Sequence, residues 1–254
     1  MFKSATAKGA NTRATILEAA LSLFRERGFD ETTMREIAAR AGLSLGAAYH
    51  YFASKEAIVL AYYAHIQAKH IELARQALAT TTELGDRLAV TMHTKLDVLA
   101  DDRRIMGALL RFTGDPAHPL SFLGQTARPI QLASIRVFDE ALEGASLPPD
   151  LRRIAPTALW GLHMGILLYF LYDDSPSQAR TRRLVDQAMT LVVRLLPVMR
   201  FPLFKPIRAR LAALLDDAGL ILDPRDVPAM ALLDSVGIEQ PQVDAERASS
   251  TDES

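Results

Sequence analysis

Between residues 33 and 55 the side chains with chemistry to offer are hydroxyls, phenols, an imidazole and an amine: Thr33, Ser44, Tyr49, His50, Tyr51 and Lys55. No nucleophile or acid–base pair stands among them at a spacing that breaks bonds. What they share is an ability to bond phosphate oxygens and base edges, because hydroxyls and imidazoles donate or accept and an ammonium donates three ways. Their positions add to this. Thr33, Ser44 and Ser54 each precede an apolar-periodic run, the place where a side-chain oxygen caps free helix amides. Thr33 and Lys55 therefore fall at helix starts, where unpaired N–H groups and the helix dipole favour an anion.

The remainder of the chain offers little for catalysis. The six histidines, His50, His65, His70, His93, His118 and His163, form no i, i+4 pair beside an acid of the kind a helical zinc hydrolase uses. Neither a phosphate loop nor a Gly-x-Ser-x-Gly elbow occurs. The absence of cysteine removes thiolate nucleophiles, disulfides and cysteine-ligated metal. Asp101 to Arg104 reads as a solvated charge run. No enzyme activity, cofactor or metal is expected. With 29 basic and 30 acidic residues the chain is nearly neutral, so any nucleic-acid contact must come from a local patch. Residues 1–60 hold eight basic side chains against six acidic ones, a small excess that two modules joined in a dimer would reinforce.

Those side chains need helices to hold them, and the chain reads as an all-α protein. Apolar residues recur three and four apart, and alternating strand patterns are absent. Ile16, Ala19, Ala20, Leu23 and Phe24 make one stripe, stopped by a left-handed Gly28 with Phe29 over the helix end. Thr33 opens a second helix and Glu36 completes a capping box. Gly42 ends that helix, and Ser44 caps a very short third one through Tyr51. A turn as tight as Gly42-Leu43-Ser44 forces a steep crossing, which sets the third helix out as a ridge for the major groove of duplex DNA. Small residues at Ala38, Ala39, Ala41, Ala47 and Ala48 let the helices touch, and Gly46 leaves room for a base or backbone. The exposed face then offers Leu45, Tyr49, His50 and Tyr51. Tyr49 has two readings, a core aromatic or a phenol reaching the DNA backbone; Phe52 falls on the inner stripe.

Ser54 caps a long fourth helix to about residue 80. Further helices are predicted over 86–100, 103–112, 127–143, 150–172 and 176–196, the last with Ser175 as cap and Pro176 at its first position. Leu159 to Tyr172 is apolar but falls short of the roughly 20 residues a spanning helix needs, so it is expected at a core or interface and no membrane partner is expected. The N-terminus lacks the apolar core of a signal peptide, which points to the cytoplasm. A proline-broken helical pattern fills 201–236. The domains expected are a DNA-binding helix-turn-helix unit over 1–60, a helical effector-binding and dimerisation unit over 61–236, and an acidic, disordered tail over 237–254.

From about Ala14 to Tyr62 the sequence resembles the tetracycline-repressor-like (TetR) family of bacterial regulators. The resemblance rests on ILEAALSLFRERGFDETTMREIAARAG and on the Ser-x-Gly-x-x-Tyr-x-x-Phe-x-Ser-Lys-Glu run from Ser44 to Glu56. It implies that Leu45, Gly46, Tyr49, His50 and Tyr51 face base edges or phosphates, and that Thr33, Tyr49 and Lys55 hold the DNA backbone. Leu45 and Ala47 depart from the family by standing where polar residues are common. Shape readout and thymine-methyl contacts are then expected to carry more of the specificity.

The resemblance also implies a small-molecule cavity between the DNA-binding unit and the last helices. Its expected lining is Tyr62, His93, Leu96, Arg111, Phe112, Trp160 and His163. Helices 150–172 and 176–196 carry more apolar surface than one chain covers, so a homodimer through a two-fold four-helix bundle is expected. The resulting reading is a repressor that grips a palindromic operator and is released by a small, largely apolar effector. Two other readings stay open: a helical sensor whose DNA unit has lost function, and a helical enzyme.

Overall fold

The computed structural model describes residues 7–110, 112, 115, 117–121, 124–217 and 221. The tail expectation over 237–254, most of 218–236 and Arg111 lie outside the described residues. Among the described residues there are helices and no strands, in the order α1 (Ala7–Arg27), α2 (Met34–Arg40), α3 (Leu45–Tyr51), α4 (Lys55–Leu78), α5 (Leu84–Leu99), α6 (Arg103–Leu110), α7 (Arg128–Ala141), α8 (Pro149–Tyr172), α9 (Ala179–Arg200) and α10 (Lys205–Asp217).

The first turns follow local chemistry. Gly28 adopts φ +91°, a left-handed value that costs glycine little, and Phe29 packs against Phe24 with ring centroids 5.3 Å apart. In α2 the Glu36 amide donates to the Thr33 hydroxyl at 3.2 Å, and the Thr33 amide donates to the Glu36 carboxylate at 2.9 Å, a complete capping box. Gly42 at φ +70° ends α2, with the Leu43 amide donating back to the Ala38 carbonyl at 2.9 Å. The Ser44 hydroxyl accepts from Ala47 N–H at 3.1 Å and that of Ser54 from Ala57 N–H at 3.2 Å.

One continuous core runs from Ile16 to Met189. The expected boundary at residue 60 falls inside α4, whose 24 residues span about 36 Å at 1.5 Å per residue. Ile58 and Val59 share the core with α1, against which α4 packs, whereas Tyr63, Gln67 and His70 lie further along α4 toward the C-terminal helices, and all five are buried. The apolar helix α8 is long enough to cross a membrane, but half of its most apolar window is buried inside the protein. The expected start of α9 needs correction. Pro176–Gln178 form a separate 3₁₀ turn with Ser177 and Gln178 at φ +52°, and α9 begins at Ala179. Ser175 still caps, its hydroxyl accepting from the Arg180 amide at 3.1 Å, and Asp173 joins it, its carboxylate accepting from the Thr181 amide at 2.9 Å and the Thr181 hydroxyl at 2.7 Å.

Three arginines tie the effector half together. Arg103 donates to the Phe170 carbonyl at 3.0 Å and covers the Phe170 ring, closing the C-terminal end of α8 where unpaired carbonyls collect. Arg208, almost fully buried, bonds Asp150 at 2.7 Å and the Phe201 carbonyl at 3.3 Å, which locks α10 beneath the start of α8. Arg87 donates to four carbonyls, those of Leu78, Thr81, Glu140 and Ala141, at 2.8–3.0 Å. Replacing it strands those acceptors at the junction of α4, α5 and α7. An Arg87→Met variant is expected to lose roughly 2–4 kcal/mol of stability, read in urea unfolding; a midpoint at or above wild type overturns this.

Candidate nucleic-acid interface and effector cavity

The α2–α3 crossing is set by Ile37, Ala38 and Ala48, all buried, with Phe52 3% exposed beneath them. This leaves Ser44, Gly46, Tyr49 and His50 exposed on one side of α3, with Leu45 and Tyr51 partly covered. Tyr49 is half exposed, so it is not a core aromatic. His50 meets Tyr51 edge-on at 5.3 Å. Thr33 is exposed at the start of α2, but its hydroxyl is already held by Glu36. A methyl group built at Gly46 would touch nothing within 4 Å, and its backbone φ is not positive. The protein itself does not require glycine there.

Lys55 departs from the expectation. Its ammonium donates to the Phe29 carbonyl at 2.7 Å and the Asp30 carbonyl at 3.2 Å, and lies 4.6 Å from the Phe29 ring centroid. A lysine at the start of α4 thus reaches back to the carbonyls of the α1–α2 turn, and its side chain braces the module. Other cations are also engaged: Arg40 is bidentate on Glu26 at 2.7 and 2.8 Å, and Arg27 meets Glu36 at 2.6 Å. Arg35 is exposed and makes no ion pair among the described residues.

The effector half encloses a cavity of about 60 Å³ between α4, α5, α6, α7 and α8. Of the seven expected lining residues, Trp160 and His163 are there. Tyr62 is not: its hydroxyl donates to Asp102 at 2.6 Å, and the same carboxylate accepts from Arg25 at 3.2 Å. His93 faces the other side of α5 and bonds Asp186 of α9 at 2.7 Å. Leu96 is fully buried core outside the cavity, and Phe112 packs against Phe29 at 5.5 Å and stacks on His118 at 4.4 Å. The wall is supplied instead by Tyr63, Ile66 and Gln67 of α4, Lys95 and Leu99 of α5, Met106 of α6, and Ile130, Gln131 and Ser134 of α7, facing Met164 and Leu167 of α8. A sequence signal for two of these exists. Lys95 interrupts the apolar series Leu88, Met92 and Leu99, and Gln67 interrupts that of Ile66 and Ile71.

Lys95 is 7% exposed and donates to the Gln67 carbonyl oxygen at 2.8 Å. Among the described residues no carboxylate lines the cavity. Burial alone pushes the Lys95 ammonium down to about 7. Burial, then the nearby Lys95 charge, pushes His163 down to about 3. His70, stacked on His163 at 6.3 Å, is held well below the histidine range, first by burial. Both imidazoles therefore stay neutral at physiological pH. Below pH 7 the folded chain carries the buried ammonium at full cost. Between about 7 and the ordinary lysine range the unfolded chain binds a proton that the folded chain has lost, so stability rises with pH across that window. Lys95→Met is expected to raise the thermal midpoint at pH 6 by roughly 4–8 °C and to flatten the rise from pH 7 to 9.5. A lower midpoint at both pH values contradicts this.

Comparison with known proteins places this geometry. Residues 16–62 match the family described as bacterial regulatory proteins, tetR family, and residues 87–208 match the tetracyclin repressor-like C-terminal domain. The HTH-type transcriptional activator FasR of Mycolicibacterium smegmatis is 29% identical over 164 residues, 65% of this chain and 74% of that protein. The crystal structure of a TetR transcriptional regulator from Nitrosomonas europaea superposes with a TM-score of 0.59 at 18% identity, covering 73% of this chain and 99% of that one. Thermus thermophilus FadR, a TetR-family repressor solved with lauroyl-CoA, superposes at 0.51 with 25% identity, covering 72% and 92%. The two family matches fall on the α1–α4 unit that presents α3 and on the shell that encloses the cavity, and the chain belongs to the TetR family of DNA-binding transcriptional regulators.

Proposed function

We propose that the protein is a cytoplasmic homodimeric repressor that binds a palindromic operator through paired α3 helices and is released by a largely apolar effector in the central cavity. The observation that carries the DNA-binding reading is Gly46, an exposed helical glycine with open space where a side chain would stand. Glycine in a helix costs about 1 kcal/mol relative to alanine, so its presence is best explained by a surface that comes close to α3 from outside. Leu45, Tyr49, His50 and Tyr51 share α3 with it, and Thr33 and the first turn of α4 flank them. Tyr49 and the positive dipole ends of these helices suit phosphate oxygens.

Dimerisation is supported by the outer faces of α8 and α9. Leu168, Tyr169 and Tyr172 on α8 and Leu191, Leu195 and Val198 on α9 are exposed, and Gly161 and Gly165 add a groove with nothing within 4 Å of a built methyl. A monomer rarely leaves so contiguous an apolar face to water. Two copies meeting there would set the α3 helices to successive major grooves, about 34–36 Å apart. Effector release follows from α4 and α6. α6 supplies Met106 to the cavity and packs against α1, while α4 walls both halves, so an enlarged cavity shifts the α3 spacing. The effector must favour the released state, since equal affinity for both shifts nothing. The lauroyl-CoA in Thermus thermophilus FadR supports an apolar body of the acyl kind.

The activator name of FasR favours a second reading, in which the bound protein recruits transcription. Deletion separates them: expression of the adjacent genes rises for a repressor and falls for an activator. Gly46→Ala is expected to stabilise the free protein by about 1 kcal/mol yet weaken binding to its upstream promoter duplex at least tenfold in fluorescence anisotropy; unchanged affinity removes α3 from the interface. Leu191→Glu is expected to shift sedimentation from dimer to monomer, and a persisting dimer contradicts the α8–α9 face.

A further inference from the structure

The cavity sets a few deeply buried polar groups into a largely apolar wall. Lys95, Gln67 and His163 are each 7% exposed or less, beside the buried Ile66, Leu99, Ile130 and Trp160. Met106, Met164, Leu167 and Gln131 are the partly covered lining residues. The hydrogen-bond capacity of the buried polar groups is unmet. Gln67 Nε2 has no partner, and neither His163 nitrogen has one, although the histidine is fully buried. Lys95 Nζ donates once, to Gln67, and carries three N–H groups. The groups left over are mostly donors, and among the described residues no acidic side chain lines the cavity to accept from them. An ordinary apolar core has no use for this set, since each unpartnered buried donor is costly.

Resting on the reading of this cavity as the effector site, we infer that it takes a carboxylic acid with an apolar body, which enters carboxylate first and seats that group on Lys95, Gln67 Nε2 and His163. A carboxylate offers about four acceptor positions, which matches the donors available, and its charge compensates the ammonium. The apolar body then runs outward past Met106, Met164 and Leu167. Methionine is flexible enough to give way as the cavity widens. The widening is needed, because about 60 Å³ holds no more than a few water molecules at present. An acyl chain whose carbonyl carbon is esterified to a large carrier would arrive methyl first and leave the buried donors unmet. Proton linkage follows as well. Among the described residues the polar groups around Lys95 are Gln67, Tyr63 and His70 of α4, Ser134 and Gln131 of α7 and His163 of α8, none of them anionic at neutral pH. The free protein therefore holds the Lys95 proton loosely, and a bound carboxylate restores it.

Trp160, the one tryptophan of the chain, lines the cavity and reports occupancy by its fluorescence without DNA. Titrations at pH 8 would use octanoate, methyl octanoate, 1-octanol and octanoyl-CoA on the full chain. Octanoate is expected to bind at least tenfold more tightly than each of the others, with proton uptake seen as a buffer-dependent heat in calorimetry. In Lys95→Met the preference for the acid is expected to vanish while methyl octanoate still binds, which shows that the cavity survives. Tighter binding of octanoyl-CoA or the ester by the native chain, or an acid preference that persists in Lys95→Met, overturns the inference. Operator binding is measured separately by the Gly46 variant, so either reading can fail without the other.

Discussion

A single rigid helix shared by two halves of the core constrains this protein more than any other feature. The first buried turns of α4, at Ile58 and Val59, share the core with the unit that presents α3, and later turns of the same helix supply Tyr63, Ile66 and Gln67 to the cavity wall. Close-packed interiors resist small volume changes, so in the proposed mechanism a widening cavity moves α4 and, through it, the unit that presents α3. Two side-chain links reinforce this. Asp102, just before α6, joins Tyr62 of α4 to Arg25 of α1, and Phe112, just after α6, lies against Phe29. Lys55 then connects Phe29 to the start of α4. The junction is a ring of contacts around α6 rather than a hinge.

The buried polar groups stand out against that packed background. Elsewhere in the same half three arginines are well used: Arg87 on four carbonyls, Arg103 on the end of α8, Arg208 between Asp150 and the α9–α10 turn. Lys95, Gln67 and His163 are buried at least as deeply as most of these, yet their capacity is only partly met. The contrast separates these three from the arginines that hold the fold, and the proposed effector would meet their remaining capacity. The same distinction applies at the surface. α9 buries Val185 and Met189 against its own chain but leaves Leu191 and Leu195 in water, one face completed and the other not.

The α10 segment has an evident structural role. Ala212 packs on Leu151 and Ile154, and Arg208 closes the corner, so residues 205–217 cover the first turns of α8. Its other side, with Ile207, Leu211 and Leu214, remains exposed and extends the apolar surface that begins on α8 and α9.

By itself the sequence determined what depends on neighbours within about four residues. The helices, the Thr33–Glu36 capping box, the serine caps and the left-handed glycines at 28 and 42 all follow from local hydrogen bonding and a 3.6-residue period, and they were legible. Tertiary structure alone decided which partner each exposed or buried face meets. Tyr62 and Tyr63 differ by one position and so by about 100° around α4; one bonds Asp102 and the other lines the cavity. His93 finds Asp186 across 93 residues, and Lys55 finds carbonyls 25 and 26 residues back. Periodicity says which residues share a stripe, but the helix lying opposite that stripe is set by packing between segments far apart in the chain, and no local pattern records it.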